Sequence, residues 1–431
     1  MAIQMILALS IIVGIHEFGH LIAAKTFGMK VEKYFIGFPP KIFSFQYKGT
    51  EYGLGSIPLG GFVKIKGIID ESMDTEHLNE EPEEWEFRSK PAWQRMIVML
   101  GGIIFNVITG LIIFTVMTYS NGDTFLSKDE INKNGILALE LGKEVGFQTG
   151  DKILKINGND WERDSDLFDP NLFFDDNASF EVLRDNEIIK LKLPNNFINK
   201  MNSREALSSF LKARTPFYID SVFSDNNAYT AGIIKGDKIV KVDDTEIIDF
   251  IELKNILEEN KSSIVQLTVN RDNNNIDKVV EINKDGKIGI MVMNQPLNFS
   301  KKSYSLSESI GIGTERAFGI VFVNIKAFGK MFSGDIDPSK NLSGPIGIAQ
   351  IFGSTWDWGN FWRIVGLLSM VLAFMNLLPI PALDGGHATF ILYEMVSGRK
   401  PSEKFLEYST RFWVIILLGL MSYVILNDIY K

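Results

Sequence analysis

The sequence predicts a polytopic α-helical membrane protein, with four transmembrane helices and two small α/β domains inserted between helices two and three. Three observations carry that prediction. The 431-residue chain has four stretches almost free of charge, a glycine–aspartate strand pattern that occurs twice in the long segment between two of them, and an H-E-x-x-H motif inside the first. The averages conceal this organisation. Hydrophobic residues make up 45% and charged residues 23%, ordinary values for a soluble protein, because the charge is confined to the connecting segments. A net charge of −9 leaves no basic surplus to neutralise phosphates, which argues against nucleic acid as a partner. The absence of cysteine excludes disulfides, thiolate zinc sites and thiol nucleophiles.

The first apolar stretch runs from Met1 to Ala24 and is broken only by His16, Glu17 and His20. The second runs from Met96 to Gly122, the third from Ile364 to Leu383, and the fourth from Phe412 to Asn427 with a start as early as Tyr408. A bilayer core of about 30 Å takes about 20 apolar residues in a helix, so all four are read as spans rather than buried core helices. The first has no basic n-region and no small-x-small cleavage site, and reads as a retained helix rather than a signal peptide. Lysines and arginines then set the topology. Lys25, Lys30, Lys33 and Lys41 follow helix one; Arg88, Lys90 and Arg95 precede helix two; Arg399, Lys400, Lys404 and Arg411 lie between helices three and four. These segments are expected in the cytoplasm, with both termini and Asn121 to about Trp362 outside. Lys326, Lys330 and Lys340 run against the pattern, but long translocated domains largely escape it.

The outer segment reads as two repeats. Gly146-Phe147-Gln148-Thr149-Gly150-Asp151-Lys152-Ile153-Leu154 and Ala231-Gly232-Ile233-Ile234-Lys235-Gly236-Asp237-Lys238-Ile239 each give an apolar turn, Gly-Asp, and an alternating strand that ends in a tight turn. A helix from Phe250 to Leu257 and a strand from Ile264 to Val269 complete the second copy, while an insertion-like stretch at Asp160–Asp176 loosens the first. The pattern resembles the PDZ domains of bacterial membrane proteases, a fold that binds by adding an extended peptide to a sheet edge.

The chemistry sits in helix one. In His16-Glu17-Phe18-Gly19-His20 the two histidines are one turn apart on one face, so both imidazoles reach one metal ion. Glu17, beside that face, is placed to take a proton from water. Four histidines produce this motif by chance in about two sequences per thousand, and ionisable side chains inside a membrane helix are usually functional. A zinc site needs a third protein ligand. His77 lies in an acidic loop far from any apolar segment. Asn376-Leu377-Leu378-Pro379-Ile380-Pro381-Ala382-Leu383-Asp384-Gly385-Gly386-His387 ends the third apolar run, and its prolines break backbone hydrogen bonding where only a cavity or surrounding protein compensates. The lysine-derived topology independently puts Asp384, at the end of helix three, at the depth of His16 and His20.

H-E-F-G-H in the first membrane helix with N-x-x-P-x-P-x-L-D-G in a later one resembles the site-2 protease family of intramembrane zinc metalloproteases, and the tandem PDZ-like domains are similar to its bacterial RseP type. Gly37-Phe38-Pro39-Pro40, Gly60-Gly61-Phe62-Val63-Lys64, Arg95, Gly101-Gly102 with Asn106, and Asn341 to Ala349 resemble further family segments, so the likeness covers nearly the whole chain. The resemblance implies His16, His20 and Asp384 as ligands of Zn2+, Glu17 as the catalytic base, and Asn376 as a substrate-binding residue, the alternative for Asn376 being a helix–helix hydrogen bond. His387 is then structural. It also implies a multi-pass protein of the bacterial inner membrane with its PDZ domains on the periplasmic side. Its substrates would be single-span membrane proteins such as an anti-sigma factor already cleaved by another protease, or signal-peptide remnants.

Domains are expected at 1–119 (helices one and two), 120–213 and 214–296 (PDZ-like), 297–360 (an interfacial connector holding an amphipathic helix from Ser307 to Lys330) and 361–431 (helices three and four). Glu51 to Gly67 reads as a β-hairpin turning at Gly60-Gly61, either an ordinary cytoplasmic hairpin or an edge for an unwound substrate. Asp70 to Glu86, nine acidic residues in seventeen, reads as a solvated loop. Two other functions compete with the protease: a catalytically inactive membrane PDZ adaptor, which the intact motifs disfavour, and a zinc transporter, which four spans with large outer domains fit poorly.

Overall fold

A computed structural model describes residues 1–68, 81–195, 197–201, 204–338 and 344–430. His77 and most of the acidic loop lie outside the described residues. The chain divides into two compact units, Met1–Gly122 with Ser303–Lys431, and Asp123–Lys302.

The first unit begins with α1 (Ala2–Thr26), which buries Ala8, Ile12, His16, Gly19 and His20, a spacing of three to four that defines one face. β1 (Val31–Tyr47) and β2 (Thr50–Ile65) form a long antiparallel ribbon, and α2 (Ala92–Asn121) packs along α1. The ribbon corrects the expected hairpin. Its tight turn is Lys48-Gly49, both residues with positive φ, as a two-residue hairpin turn requires. Gly60 and Gly61 lie within β2 instead. A Cβ at Gly61 would stand 3.1 Å from Val13 and 3.5 Å from Glu17, so glycine serves close backbone approach to α1 rather than a turn.

The second unit is rich in strands, and its two hydrophobic cores are distinct. β3 (Lys152–Ile156), β4 (Ser179–Arg184) and β5 (Glu187–Lys192) form an antiparallel sheet over a core centred on Phe147, Phe180 and Phe210. The other lobe pairs β6 (Phe217–Val222) with its last strand and sets the rest in a four-stranded sheet whose order along the sheet is Thr245–Glu246, Lys238–Val242, Ile264–Arg271, Asn274–Glu281. Its elements are β7 (Lys238–Val242), β8 (Thr245–Glu246), α3 (Phe250–Glu259), β9 (Ile264–Arg271), β10 (Asn274–Glu281) and β11 (Ile290–Asn294), the partner of β6. Ile219, Leu253 and Leu267 lie in its core. These sheets are consistent with two PDZ-like domains.

The duplication extends to one ion pair. Asp151 receives Arg184 Nε and Nη2, both at 2.7 Å, and Asp237 receives Arg271 at 2.7 and 2.8 Å. Each arginine also donates to a glycine carbonyl, Gly146 or Gly232, and each aspartate accepts the backbone N–H three residues earlier. The aspartates are buried, so the repeated Gly-Asp is a staple between a turn and a strand end.

The first unit resumes with α4 (Leu306–Phe332), capped by Ser305 and Glu308 and packed along α2 and a later helix through Gly313, Ala317 and Phe328. α5 (Pro345–Ile351) follows, then α6 (Trp358–Leu377), α7 (Asp384–Ser397) and α8 (Glu403–Tyr430). Among the described residues α1, α2, α6 and α8 are long and apolar enough to cross a membrane. The third span is displaced from the expected Ile364–Leu383. Asp357 caps Gly359 and Asn360 at the start of α6, which places Arg363 inside the helix. At the other end Pro379 disfavours helical backbone in the residue before it. Asp384 is therefore not the end of this helix but the first residue of α7.

Candidate metal centre

Two glycines let α1 and α2 approach closely enough to build the site. A Cβ on Gly19 would lie 2.3 Å from the Gly101 carbonyl oxygen, and one on Gly101 would lie 2.7 Å from that of Gly19. Backbone thus meets backbone. At Gly102 a Cβ would stand 2.5 Å from both His16 Cε1 and His20 Nε2, so α2 carries no side chain where the two imidazoles project. The rings are 4.9 Å apart and nearly perpendicular.

Asp384 arrives from the broken end of α6. The segment from Leu378 to Leu383 folds back against the first turn of α7. There a Cβ on Gly385 would meet the Leu378 carbonyl oxygen at 2.4 Å, and one on Gly386 the Ile380 oxygen at 2.3 Å. Only glycine admits this return, and it delivers the carboxylate to the histidines. Asp384 Oδ2 lies 2.9 Å from His16 Nε2 and 3.3 Å from His20 Nε2, and the two nitrogens are 3.3 Å apart. Tetrahedral zinc with bonds of about 2.0–2.1 Å has ligand atoms about 3.3 Å from one another, so this triangle matches one face of such a site. Asp384 Oδ2 is buried with no contact of hydrogen-bond geometry despite these neighbours, consistent with three donors aimed at a common point. Among the described residues His16, His20 and Asp384 are the group able to hold a metal ion. His387, one turn further along α7, instead lines a cleft with Phe87, Arg95, Met99 and Glu394.

The surroundings orient these groups. His20 Nδ1 is 2.7 Å from the Val98 carbonyl oxygen, an acceptor only, so Nδ1 carries the ring proton and Nε2 is left free as a ligand. Asn106 Nδ2 lies 3.1 Å from His16 Nδ1, and Asn376 Nδ2 lies 3.2 Å from His16 Nε2. Glu17 is half-buried beside β2, its side chain next to Gly61. All five sequence-derived site residues are thus in one neighbourhood. Val98 left no trace in the sequence, because every residue has a carbonyl. Gly102 and Asn106 were marked only by resemblance.

A family model described as Peptidase family M50 matches residues 4–420. The chain belongs to peptidase family M50. These are the site-2 proteases, and membership together with four apolar helices makes the chain an integral membrane metalloprotease by family. The M50 relatives it resembles include a protein named Regulator of sigma E protease from Haemophilus influenzae, 29% identical over 449 residues that cover 99% of this chain and 98% of the relative. Regulator of sigma-E protease RseP from Salmonella typhimurium is 27% identical, covering 98% and 97%. A protein from Borreliella burgdorferi with a zinc metalloprotease name is 28% identical over 98% and 97%.

Proposed function

We propose that this M50 protein is a zinc-dependent intramembrane endopeptidase that cuts transmembrane segments of single-span proteins in a bacterial inner membrane. The observation that carries the reading is the convergence of His16, His20 and Asp384 within 2.9–3.3 Å of one another, with Glu17 one residue away on an apolar helix. In this reading those three residues hold zinc. When bound, zinc polarises a carbonyl and makes water a nucleophile near neutral pH. Glu17 takes a proton from the attacking water on its carboxylate and returns it to the leaving amine. Asn376 presents its amide beside the cluster and steadies the substrate chain. A helical substrate has its own peptide groups hydrogen-bonded, so it must be unwound. The β2 backbone from Gly61 to Val63, alongside Glu17, offers extended substrate a strand to pair with.

Lysine and arginine placement supports cytoplasmic segments before α2 and between α6 and α8, with the PDZ-like lobes on the periplasmic side. A reporter active only outside the cytoplasm should work when fused after Asp225 and fail when placed in the 70–86 loop; the reverse pattern overturns the topology. The sigma-E names of the relatives point to an anti-sigma factor, trimmed outside the membrane by another protease, as one substrate of this class, with signal-peptide remnants the other. The competing readings are an inactive PDZ adaptor and a zinc transporter. Zinc content and cleavage of a model transmembrane substrate, measured for wild type and Glu17→Gln, separate them. The protease reading expects about one zinc per chain in both proteins and a fall of at least ~10²-fold in cleavage for the variant. Near wild-type cleavage by Glu17→Gln removes its assigned role, and zinc without any cleavage in the wild type favours the alternatives.

A further inference from the structure

We infer that Asn106 is a positioning residue that fixes the tautomer of His16; the inference rests on the zinc reading above. Asn106 is wholly buried in α2, and its backbone carbonyl accepts a hydrogen bond from Ser369 Oγ of α6 at 2.9 Å, which pins the residue between two helices. Its amide nitrogen is 3.1 Å from His16 Nδ1, while its Oδ1 is buried without any partner. The nitrogen and oxygen of a side-chain amide have the same shape, so its orientation follows from the hydrogen-bond network.

With zinc on the Nε2 side of His16, that network has one consistent solution. His16 Nε2 lies 2.9 Å from Asp384 Oδ2 and 3.3 Å from His20 Nε2, so Nε2 is the nitrogen facing the metal position. A neutral imidazole that gives up one lone pair to a metal carries its proton on the other nitrogen. Nδ1 must then donate, and the group 3.1 Å away must accept. Turning the amide places Oδ1 there and supplies the orphaned oxygen with the donor it lacks. In the opposite orientation the amide N–H would donate to Nδ1, put the ring proton on Nε2 and block the ligand. His20 obeys the same rule through the Val98 carbonyl. Both histidines of α1 thus have their ligand tautomer set by acceptors on α2, one from the backbone and one from Asn106.

The test is zinc affinity of the purified full-length protein, measured by competition with a chromophoric chelator. Asn106→Leu keeps the volume but removes the acceptor and should weaken zinc binding about 10–100-fold, the usual effect of losing a partner of a ligating histidine. Asn106→Asp keeps an acceptor at the same place and should bind within a few-fold of wild type or more tightly. A purely structural role predicts the reverse order, since a buried carboxylate disturbs packing more than leucine. Equal affinity in Asn106→Leu, or equal losses in both variants, overturns the inference. Should the leucine variant not fold, Asn106→Ala against Asn106→Asp makes the same comparison. If the wild type itself binds no zinc, the zinc reading fails and not only this refinement of it.

Discussion

The positions most sensitive to change around the metal centre are those where a side chain is missing. A Cβ on Gly102 would stand 2.5 Å from each of two imidazoles, closer than real Cβ atoms approach. Gly102→Ala should therefore push His16 and His20 apart and lower zinc affinity roughly 5- to 150-fold, since overpacking of this kind costs about 1–3 kcal/mol and 1.4 kcal/mol is a factor of ten. Chelator competition on the intact protein measures it, and unchanged affinity would show that the helices separate without strain. The legibility of the site follows the same division. His16, Glu17 and His20 could be read from the sequence because helical pitch converts a spacing of four into a shared face, whatever surrounds it. Asp384 was legible as a neighbour of the two histidines but not as the start of a helix, because two prolines and two glycines in eight residues read as an end. Glycine is silent about which neighbour it makes room for, so the α1–α2 contact at Gly19 and Gly101 emerged only from the fold.

Among the elements, the two Asp–Arg staples are the clearest case of a repeat whose meaning lies in its long-range partner. The Gly-Asp turns were visible in the sequence; arginines 33 and 34 residues later were not, because that pairing depends on how a strand returns past the turn. The salt bridges hold the guanidinium protons of Arg184 and Arg271 more tightly than usual, chiefly through the hydrogen bonds these arginines donate to Asp151 and Asp237. Removing the arginine leaves a buried carboxylate without its cation. Arg271→Ala should lower the stability of its lobe by roughly 2–3 kcal/mol, below the 3–5 of a fully buried pair because the arginine is partly exposed. Denaturant unfolding of the inserted segment reads this directly, and a loss under 0.5 kcal/mol would mean that water replaces the arginine. The displaced third span has a related cause: Trp358 and Arg363 look like flanking residues until Asp357 is seen capping the helix before them.

At the scale of the whole molecule, the inserted lobes have cores of their own, and among the described residues they contribute no group to the candidate metal cluster. Their proposed role is selection: folded lobes outside the membrane exclude substrates that still carry a bulky outer domain. Deleting Asn121 to about Pro296 should let the enzyme cut full-length substrate it normally ignores. An activating role, in which a lobe captures the new end of a trimmed substrate, has the opposite sign: trimmed substrate is cut more slowly and full-length substrate stays intact. Full-length substrate left intact by a stable, zinc-loaded deletion variant would remove the filter.

α8 is held differently from the other spans. Near one end Thr410 reaches the Pro381 carbonyl, and near the other Asp428 accepts N–H groups of Gly344, Ile346 and Gly347 at 2.9–3.1 Å. Between these ties Phe412, Ile415, Leu418 and Met421 are exposed. A span bare along its middle presents that surface to hydrocarbon, and one longer than the local hydrocarbon thickness is accommodated by tilting. The Asp428 tie joins that end of α8 to α5, whose Ile348 rests on the cluster containing Ala8 and Ile12. Ile12 is one helical turn from His16, so a change in how α8 lies in the bilayer would have only a few side chains to cross before it reached the candidate metal group.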